Sequence, residues 1–171
     1  MLFKKARERR RFEKFYSNNI DKIFRFVFFR VGDRAKAEDL TAEIFMKALE
    51  HFGTYDPAKS TTSWLMTITK NHLANYWRDT KPMVSVDAWL EGDGAEEAYL
   101  FGAAQGQQKR DEDYRILKEL LAKLRDDERE LVTLHYLVGY NYTEIAELTG
   151  QSEGALRVTV HRIIKKLRRQ L

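Results

Sequence analysis

Basic side chains that suit a polyanion recur along one predicted helix near the C-terminus. At about 100° per residue, one side of this helix is apolar: Leu156, Val160, Ile163, Ile164 and Leu167. The other side is cationic apart from one valine, and its members are Arg157, Val158, His161, Arg162, Lys165, Arg168 and Arg169. A dry face opposite a cationic one is typical of a helix that faces phosphates. A surface helix with a solvated basic face is the alternative.

The residues before this helix predict a second helix and a tight turn. Apolar spacing predicts a helix at 142–148, and Gly150 can take the left-handed conformation that a short interhelical turn needs. Ser152 is a favourable N-cap for the basic helix. The spacing is that of a helix-turn-helix motif, whose second helix enters the major groove of DNA.

A predicted helix at 34–52 carries an acidic stripe. Its apolar half comprises Leu40, Ile44, Phe45, Ala48, Leu49 and Phe52. The opposite stripe comprises Asp39, Glu43 and Glu50 together with Ala42 and Met46. An exposed methionine among carboxylates favours docking to a basic partner. An ordinary acidic outer face fits this pattern equally well.

A predicted helix at 61–78 has an outer face without acids. Its core side comprises Leu65, Ile68, His72, Leu73 and Tyr76, and its outer face comprises Ser63, Thr67, Lys70, Asn71, Ala74 and Arg78. Trp64 lies at the boundary, and the preceding loop, 55–60, is a candidate holder for a flipped base. Cations, amides and aromatic rings suit single-stranded nucleic acid. The alternative assigns Trp64, Tyr76 and Trp77 to the core, and for Tyr76 it is favoured.

No set of side chains indicates catalysis. The four histidines are dispersed without metal-ligand spacing, and there is no cysteine, glycine-rich phosphate loop or nucleophile elbow. The acids at 126–128 precede an apolar run and indicate a helix N-terminus. We therefore predict no enzyme activity, no metal and no cofactor.

Helical periodicity dominates the chain and predicts an all-α protein with two small domains. Residues 1–80 form the first domain, with three helices at about 9–31, 34–52 and 61–78. Residues 111–171 form the second, with four helices at about 112–124, 127–138, 142–148 and 153–169. Residues 81–110 are rich in acids and glycine and indicate a flexible linker.

Charge is unevenly distributed along the 171 residues. Residues 1–14 carry seven lysines and arginines against two acids, 152–171 carry six against one, and 81–113 carry three against eight. Basic ends around an acidic middle favour a polyanion contacted at more than one place, although solvated faces explain any single run. The absence of cysteine and of a long apolar run predicts a cytoplasmic protein without membrane insertion.

Three stretches together resemble the extracytoplasmic-function (ECF) group of bacterial RNA polymerase sigma factors. They are residues 37–45 (AEDLTAEIF), residues 63–78 and residues 142–162, in this order with the linker between the second and third. The resemblance covers nearly the whole chain. It implies one domain for core polymerase binding, −10 recognition and melting, and a helix-turn-helix domain for −35 recognition.

The resemblance also implies partners and site residues. The largest-subunit clamp helices of core RNA polymerase would bind the surface of Asp39, Ala42, Glu43 and Met46, with the polymerase flap as a further contact. Promoter DNA would meet Tyr55, Trp64, Lys70, Asn71 and Arg78 at −10, and Arg157, Val158, His161, Arg162, Lys165 and His135 at −35. An anti-sigma factor is implied as well. The family usually has glutamine at Ala42, arginine at Thr159 and a small hydroxyl residue at Val158.

Two other classes of function are alternatives to a sigma factor. A helix-turn-helix regulator without polymerase contact would need residues 1–80 as its ligand or dimerisation domain. A hydrolase or transferase on a helical scaffold would need a catalytic set, and the sequence offers none.

Overall fold

A computed structural model describes residues 2–80 and 107–169, and all regular elements in these residues are helical. The α-helices are α1 (Leu2–Val31), α2 (Arg34–Glu50), α3 (Thr61–Thr80), α4 (Gln107–Ala122), α5 (Asp126–Val132), α6 (Tyr142–Thr149) and α7 (Glu153–Arg168). A 3-10 turn spans Phe52–Thr54, and a π-helical segment spans Thr133–Val138. The predicted all-α fold is confirmed.

Three predicted element boundaries were wrong. Helix α1 begins at Leu2 rather than near residue 9, because the basic residues before that position are good helix formers without a breaker. Helix α4 begins at Gln107, within the predicted linker. The helix predicted at 127–138 is α5 followed by the π-helical segment. Residues 81–106 of the predicted linker lie outside the described residues.

Helices α1, α2 and α3 form the N-terminal part around an aromatic and aliphatic core. Gly32, at φ 68°, ends α1, and the Asp33 carboxylate accepts a hydrogen bond from the Lys36 backbone N–H at 2.7 Å to cap α2. These two residues turn the chain so that α2 lies against α1. The core includes Phe15, Ile23, Val27, Phe28, Leu40, Ile44, Phe45, Ala48, Leu65 and Leu73, all buried.

Leu49, on the predicted apolar half of α2, is not buried. Its side chain is 54% exposed and lies about 100° around α2 from the buried Ala48. Phe52 is only half-buried, since α2 ends at Glu50 and Phe52 begins the 3-10 turn.

A buried arginine organises the C-terminal part. Arg129 is 6% exposed and donates hydrogen bonds to the carbonyl oxygens of Leu121 at 3.0 Å and Leu124 at 2.9 Å. These hydrogen bonds satisfy backbone carbonyl groups at the C-terminal end of α4, which have no partner within the helix. Around it, α5, α6 and α7 bury a second apolar group: Leu131, Leu137, Ile145, Leu156, Val160, Ile163 and Leu167.

The C-terminal part packs against the N-terminal helices, which the sequence did not predict. The π-helical segment lies on α1, and α6 lies on α3. Lys22 Nζ is 2.6 Å from Glu144 Oε1, and Arg30 Nη2 is 2.9 Å from Glu130 Oε1. Ser60 donates a hydrogen bond to the Glu147 carboxylate. The two parts therefore form one packed arrangement.

We predict that the pair Arg30–Glu130 contributes to this packing. Glu130→Arg places two guanidinium groups together and should increase the radius of gyration measured by small-angle X-ray scattering. The double variant Arg30→Glu/Glu130→Arg reverses the pair and should restore the wild-type radius. An unchanged radius in Glu130→Arg would show that this pair does not hold the two parts together.

Candidate nucleic-acid and partner interfaces

The basic helix α7 divides into two faces as predicted. Leu156, Val160, Ile163 and Leu167 are buried. The seven residues of the predicted opposite face, Arg157, Val158, His161, Arg162, Lys165, Arg168 and Arg169, are all exposed. Val158 is 60% exposed, so the cationic face contains one apolar contact point. A thymine methyl group is the base feature that such a point suits.

Local hydrogen bonds fix the turn between α6 and α7. Gly150 has φ 72°, and its N–H donates to the Ala146 carbonyl at 2.8 Å. A Cβ added at Gly150 would meet open space, so crowding does not require glycine here. The left-handed conformation does. The Ser152 hydroxyl accepts from the Ala155 N–H at 3.3 Å and caps α7. These predicted roles of Gly150 and Ser152 are confirmed.

His135 lies beside α7 rather than on it, and its ring is already engaged. It is half-buried, its Nδ1 is 2.8 Å from the Tyr140 carbonyl oxygen, and it stacks on Tyr142 with ring centroids 4.3 Å apart.

The sequence did not predict that the Arg157 guanidinium contacts the Tyr142 ring and the Glu153 carboxylate. The Glu153–Arg157 spacing of four residues was the one available signal, since such pairs face each other on a helix.

The acidic stripe of α2 is exposed as predicted. Asp39, Ala42, Glu43 and Met46 all lie on the surface, and Met46 is 64% exposed. Glu43 Oε2 is 2.7 Å from His72 Nε2, whose side chain is 11% exposed. The histidine predicted on the core side of α3 therefore also orients one carboxylate of the stripe.

The outer face of α3 exposes its cations and amides. Lys70, Asn71 and Arg78 are exposed, and Arg78 donates to the Asn75 side-chain oxygen at 2.9 Å. Ser63 and Thr67, of the same predicted face, are half-buried and exposed respectively.

Trp64 and Tyr55, the two aromatic residues predicted beside this face, pack into an aromatic cluster and are not fully exposed. Trp64 and Tyr55 are half-buried, with ring centroids 5.1 Å apart, and Phe15 lies 5.7 Å from Trp64. The Tyr55 hydroxyl is 2.6 Å from Thr61 Oγ1. For Trp64 the structure thus supports a packing role. Tyr76 and Trp77 are half-buried too.

A groove of about 600 Å³ opens between α1 and the turn that follows α2. Arg11 and Phe12 line it from α1, and Leu49, Phe52 and Tyr55 line it from the other side. Phe52 and Tyr55 stack with ring centroids 5.4 Å apart, and the Arg11 guanidinium lies 5.9 Å from the Phe52 ring. The groove therefore presents apolar, aromatic and cationic groups together, beside the carboxylates of Glu8 and Glu13.

One ion pair joins the basic helix to α5. Lys166 Nζ is 3.0 Å from Glu128 Oε2 and joins α7 to the first turn of α5. The hydrogen bond from Lys166 holds the pKa of the Glu128 carboxyl below its usual value. The predicted acids at 126–128 are confirmed as the first turn of α5.

Within residues 2–80 and 107–169, no three histidine, aspartate or glutamate side chains gather in a way that would bind a metal ion. No helix in these residues has the length and apolar character needed to cross a bilayer.

The fold and these surfaces define a helix-turn-helix protein with a second helical domain that exposes an acidic stripe. Comparison with known families makes the class more specific. Residues 15–82 match sigma-70 region 2, and residues 114–167 match sigma-70 region 4. Together these regions cover most of the chain. The chain therefore belongs to the family of RNA polymerase sigma factors, in its ECF group.

The similar proteins agree with this assignment. The chain is 31% identical to the RNA polymerase sigma factor CarQ of Myxococcus xanthus, covering 94% of this chain and 88% of CarQ. It is 29% identical to the ECF sigma factor SigM of Bacillus subtilis, covering 91% and 92%. It is 28% identical to the ECF sigma factor BldN of Streptomyces coelicolor, but spans only 60% of that longer protein.

A solved structure shares the fold. The sigma factor RpoE of Bartonella quintana, in complex with the anti-sigma factor NepR, superposes with a TM-score of 0.58 at 22% identity. The match covers 92% of this chain and 94% of RpoE. Sigma factors of this family direct RNA polymerase to promoters, so the predicted family and function are confirmed, and the regulator without polymerase contact is disfavoured.

The pair Glu128–Lys166 predicts a pH-dependent contribution to stability. Because the folded pKa of Glu128 lies below its unfolded value, the contribution is present at neutral pH and is lost as the pH falls through the folded pKa. Lys166→Gln should lower the free energy of unfolding by about 0.2–1 kcal/mol at pH 7, as expected for a partly exposed pair. Chemical denaturation should show a smaller difference at pH 3.

Lys165→Gln, at the neighbouring position, is the control for loss of a lysine charge. An equal loss of stability at pH 7 and pH 3 in Lys166→Gln would contradict the assigned role of the ion pair.

Proposed function

We propose that three separate surfaces of this sigma factor divide the work of initiation. In this proposal, two of the surfaces lie within residues 1–80 and bind core polymerase and the −10 element. The third lies within residues 111–171 and binds the −35 element, and residues 81–110 connect the two domains. The observation that carries it is the segregation of charge: carboxylates line α2, whereas cations line α3 and α7. A polyanion is attracted by the last two surfaces and repelled by the first.

The acidic stripe of α2 is the proposed contact with the clamp helices of the largest polymerase subunit. Asp39 and Glu43 supply charge, Met46 supplies an adaptable apolar contact, and His72 restrains Glu43. Ala42 replaces the glutamine usual in the family, so this interface lacks one amide hydrogen-bonding group at its centre.

The α3 face and the adjoining groove are the proposed site for the melted −10 strand. Lys70, Asn71 and Arg78 are placed for backbone and base contacts. Tyr55 and Trp64 would act mainly as the packed wall behind that strand, since both rings are half-buried. The groove lined by Arg11 and Phe52 has a volume of about 600 Å³, and we expect it to admit a flipped base. Capture there would offset the cost of unstacking, which is a few kcal/mol.

The α7 face is the proposed −35 reader. Arg157, Val158, His161, Arg162 and Lys165 face outward from a helix whose other face is buried. Because the N-terminal part of a recognition helix approaches the base edges, Arg157 and Val158 are proposed base readers, together with Arg162 just over one turn further on. Lys165, further along, is a proposed phosphate contact. His135 lies beside them, at the edge of the interface.

Binding both promoter elements requires the two parts of the chain to separate. Helix α1 packs against α2 of its own part and against the π-helical segment of the C-terminal part, and its 30 residues are about 45 Å long. The −10 and −35 elements are about 25 base pairs apart, which is roughly 85 Å of duplex. In addition, Ser60 and Ser63 at the start of α3 bond to Glu147 of α6. The packed arrangement is therefore the form without promoter, and polymerase binding would favour the separated form.

An anti-sigma factor is a further proposed partner. The similar structures include the complex of RpoE with NepR and that of CnrH with the cytosolic domain of CnrY. We expect a cytoplasmic protein, because its partner is core RNA polymerase, and an initiation factor without catalytic chemistry of its own.

Charge reversal on the acidic stripe tests the polymerase interface. Asp39→Arg should abolish co-purification with core polymerase, because it places a cation against a basic surface. Glu119→Arg is the control for reversal of an acidic charge, since Glu119 is an exposed acid of α4 and lies outside the stripe. Normal holoenzyme formation by Asp39→Arg would show that the stripe is only a solvated face.

Alanine substitutions on α7 test the −35 reader. Arg157→Ala or Arg162→Ala should weaken initiation at a preferred −35 sequence by about 1–3 kcal/mol if the side chain reads a base. Arg168→Ala, near the end of α7, should weaken binding uniformly across sequences. Run-off transcription over a promoter library measures both effects. Unchanged promoter preference in both reader variants would refute their assignment.

A further inference from the structure

An irregular segment brings a histidine ring onto Tyr142, the first residue of α6. The π-helical segment ends at Gly139, with φ 90°, and the Tyr140 N–H then donates to the Leu134 carbonyl at 2.9 Å. This path places the Tyr140 carbonyl oxygen 2.8 Å from His135 Nδ1. The imidazole is thereby fixed in orientation, and π-helical turns of this kind are frequent at functional sites.

The fixed imidazole supports a column of stacked groups that ends at Arg157. His135 and Tyr142 stack at 4.3 Å with an interplanar angle of 27°. The Arg157 guanidinium carbon lies 5.0 Å from the centroid of the same Tyr142 ring, within the range of a cation–π contact. His135 also meets Tyr136 edge-on at 4.8 Å.

A carboxylate holds the same guanidinium from a second direction. Arg157 Nη2 donates to Glu153 Oε2 at 3.0 Å, and the Thr143 hydroxyl donates to Glu153 Oε1 at 2.7 Å. These two hydrogen bonds, that from Thr143 first, hold the pKa of the Glu153 carboxyl below its usual value. Arg157 is exposed yet restrained by two groups, one from α6 and one from its own helix.

We propose that Tyr142 is a positioning residue for −35 recognition: its ring, backed by His135, holds the Arg157 guanidinium ready for a base edge. This inference rests on the proposed function of Arg157 as a base reader. An unrestrained arginine loses more rotamer freedom when it binds a base bidentately, and it reaches neighbouring phosphates more easily. Tyr142 therefore acts on sequence discrimination more than on total affinity.

The ring and the hydroxyl of Tyr142 predict different outcomes, which makes the role testable. If the ring face positions Arg157, Tyr142→Phe keeps the function and Tyr142→Ala loses it. If the hydroxyl instead contacts DNA directly, Tyr142→Phe fails as well.

The experiment uses holoenzyme made with full-length protein and core polymerase. A promoter library randomised over the −35 element is enriched by the wild type, and the best duplex is compared with a scrambled −35 duplex for each variant. Tyr142→Ala should lower the ratio of specific to non-specific binding about two- to fivefold, the range for an exposed cation–π contact. Tyr142→Phe should keep the wild-type ratio, and binding to the scrambled duplex should not weaken in either variant.

A double-mutant cycle separates positioning from direct contact. In the Arg157→Ala background, Tyr142→Ala should cause no further loss of discrimination, because the group it positions is absent. Additive losses, or equal losses in Tyr142→Phe and Tyr142→Ala, would overturn the inference. Circular dichroism and thermal unfolding of each variant identify a folding defect. If Tyr142→Ala fails to fold, the comparison of Tyr142→Phe with the wild type decides between the ring and the hydroxyl, because a loss of discrimination in Tyr142→Phe would overturn the inference.

Failure of the underlying function gives a different result. If Arg157→Ala itself leaves the enriched sequence unchanged, Arg157 does not read a base, and both proposals fail. If Arg157→Ala loses discrimination while Tyr142→Ala keeps it, only the positioning role of Tyr142 fails.

Discussion

The contact between α1 and the helix-turn-helix domain constrains everything else in this molecule. Arg30 lies deep in that contact, with a side chain only 19% exposed, and burial lowers its pKa while Glu130 opposes the shift. A partly buried ion pair gains little net free energy, because desolvation offsets most of the attraction. Such an interface specifies how the two parts dock without making their separation expensive. Both properties suit the proposed function, in which the two parts dock in the free protein and separate to span a promoter.

Under the proposed function, the same contact couples the two proposed DNA-binding faces. Helix α6 carries the turn that presents α7, and it also supplies Glu144 and Glu147 to Lys22 and Ser60 on the N-terminal side. Release of α6 would therefore free the start of α3 and allow the exposed face of α7 to move away from the N-terminal part. Once both parts are bound to polymerase, binding of one to DNA raises the effective concentration of the other near its element. The acidic stripe of α2 lies apart from the residues of this contact, so its exposure does not depend on opening.

Helical periodicity predicted the helical elements and most of the buried faces of α2 and α7, because amphipathic spacing is a local property of the sequence. On α3 it missed the buried Met66 and Thr69. The faces of α7, the cap at Asp33 and the turn at Gly150 followed from residue types alone. Leu49 failed because a helical wheel does not show how wide the contact with α1 and α3 is. The docking of Glu130 on Arg30, and the column from His135 through Tyr142 to Arg157, depend on long-range packing and an irregular helical turn, neither of which leaves a periodic signal. The roles of the surface residues came from family resemblance rather than from spacing.

A distance between the two parts tests the central claim most directly. The chain has no cysteine, so two exposed positions, Ala35 on α2 and Glu119 on α4, can each be changed to cysteine and spin-labelled without background. Electron–electron double resonance should give one short, narrow distance distribution in the free protein. In holoenzyme on promoter DNA, the distribution should move several tens of ångströms longer. A free protein that already shows the long distance, or a holoenzyme that keeps the short one, would contradict the account.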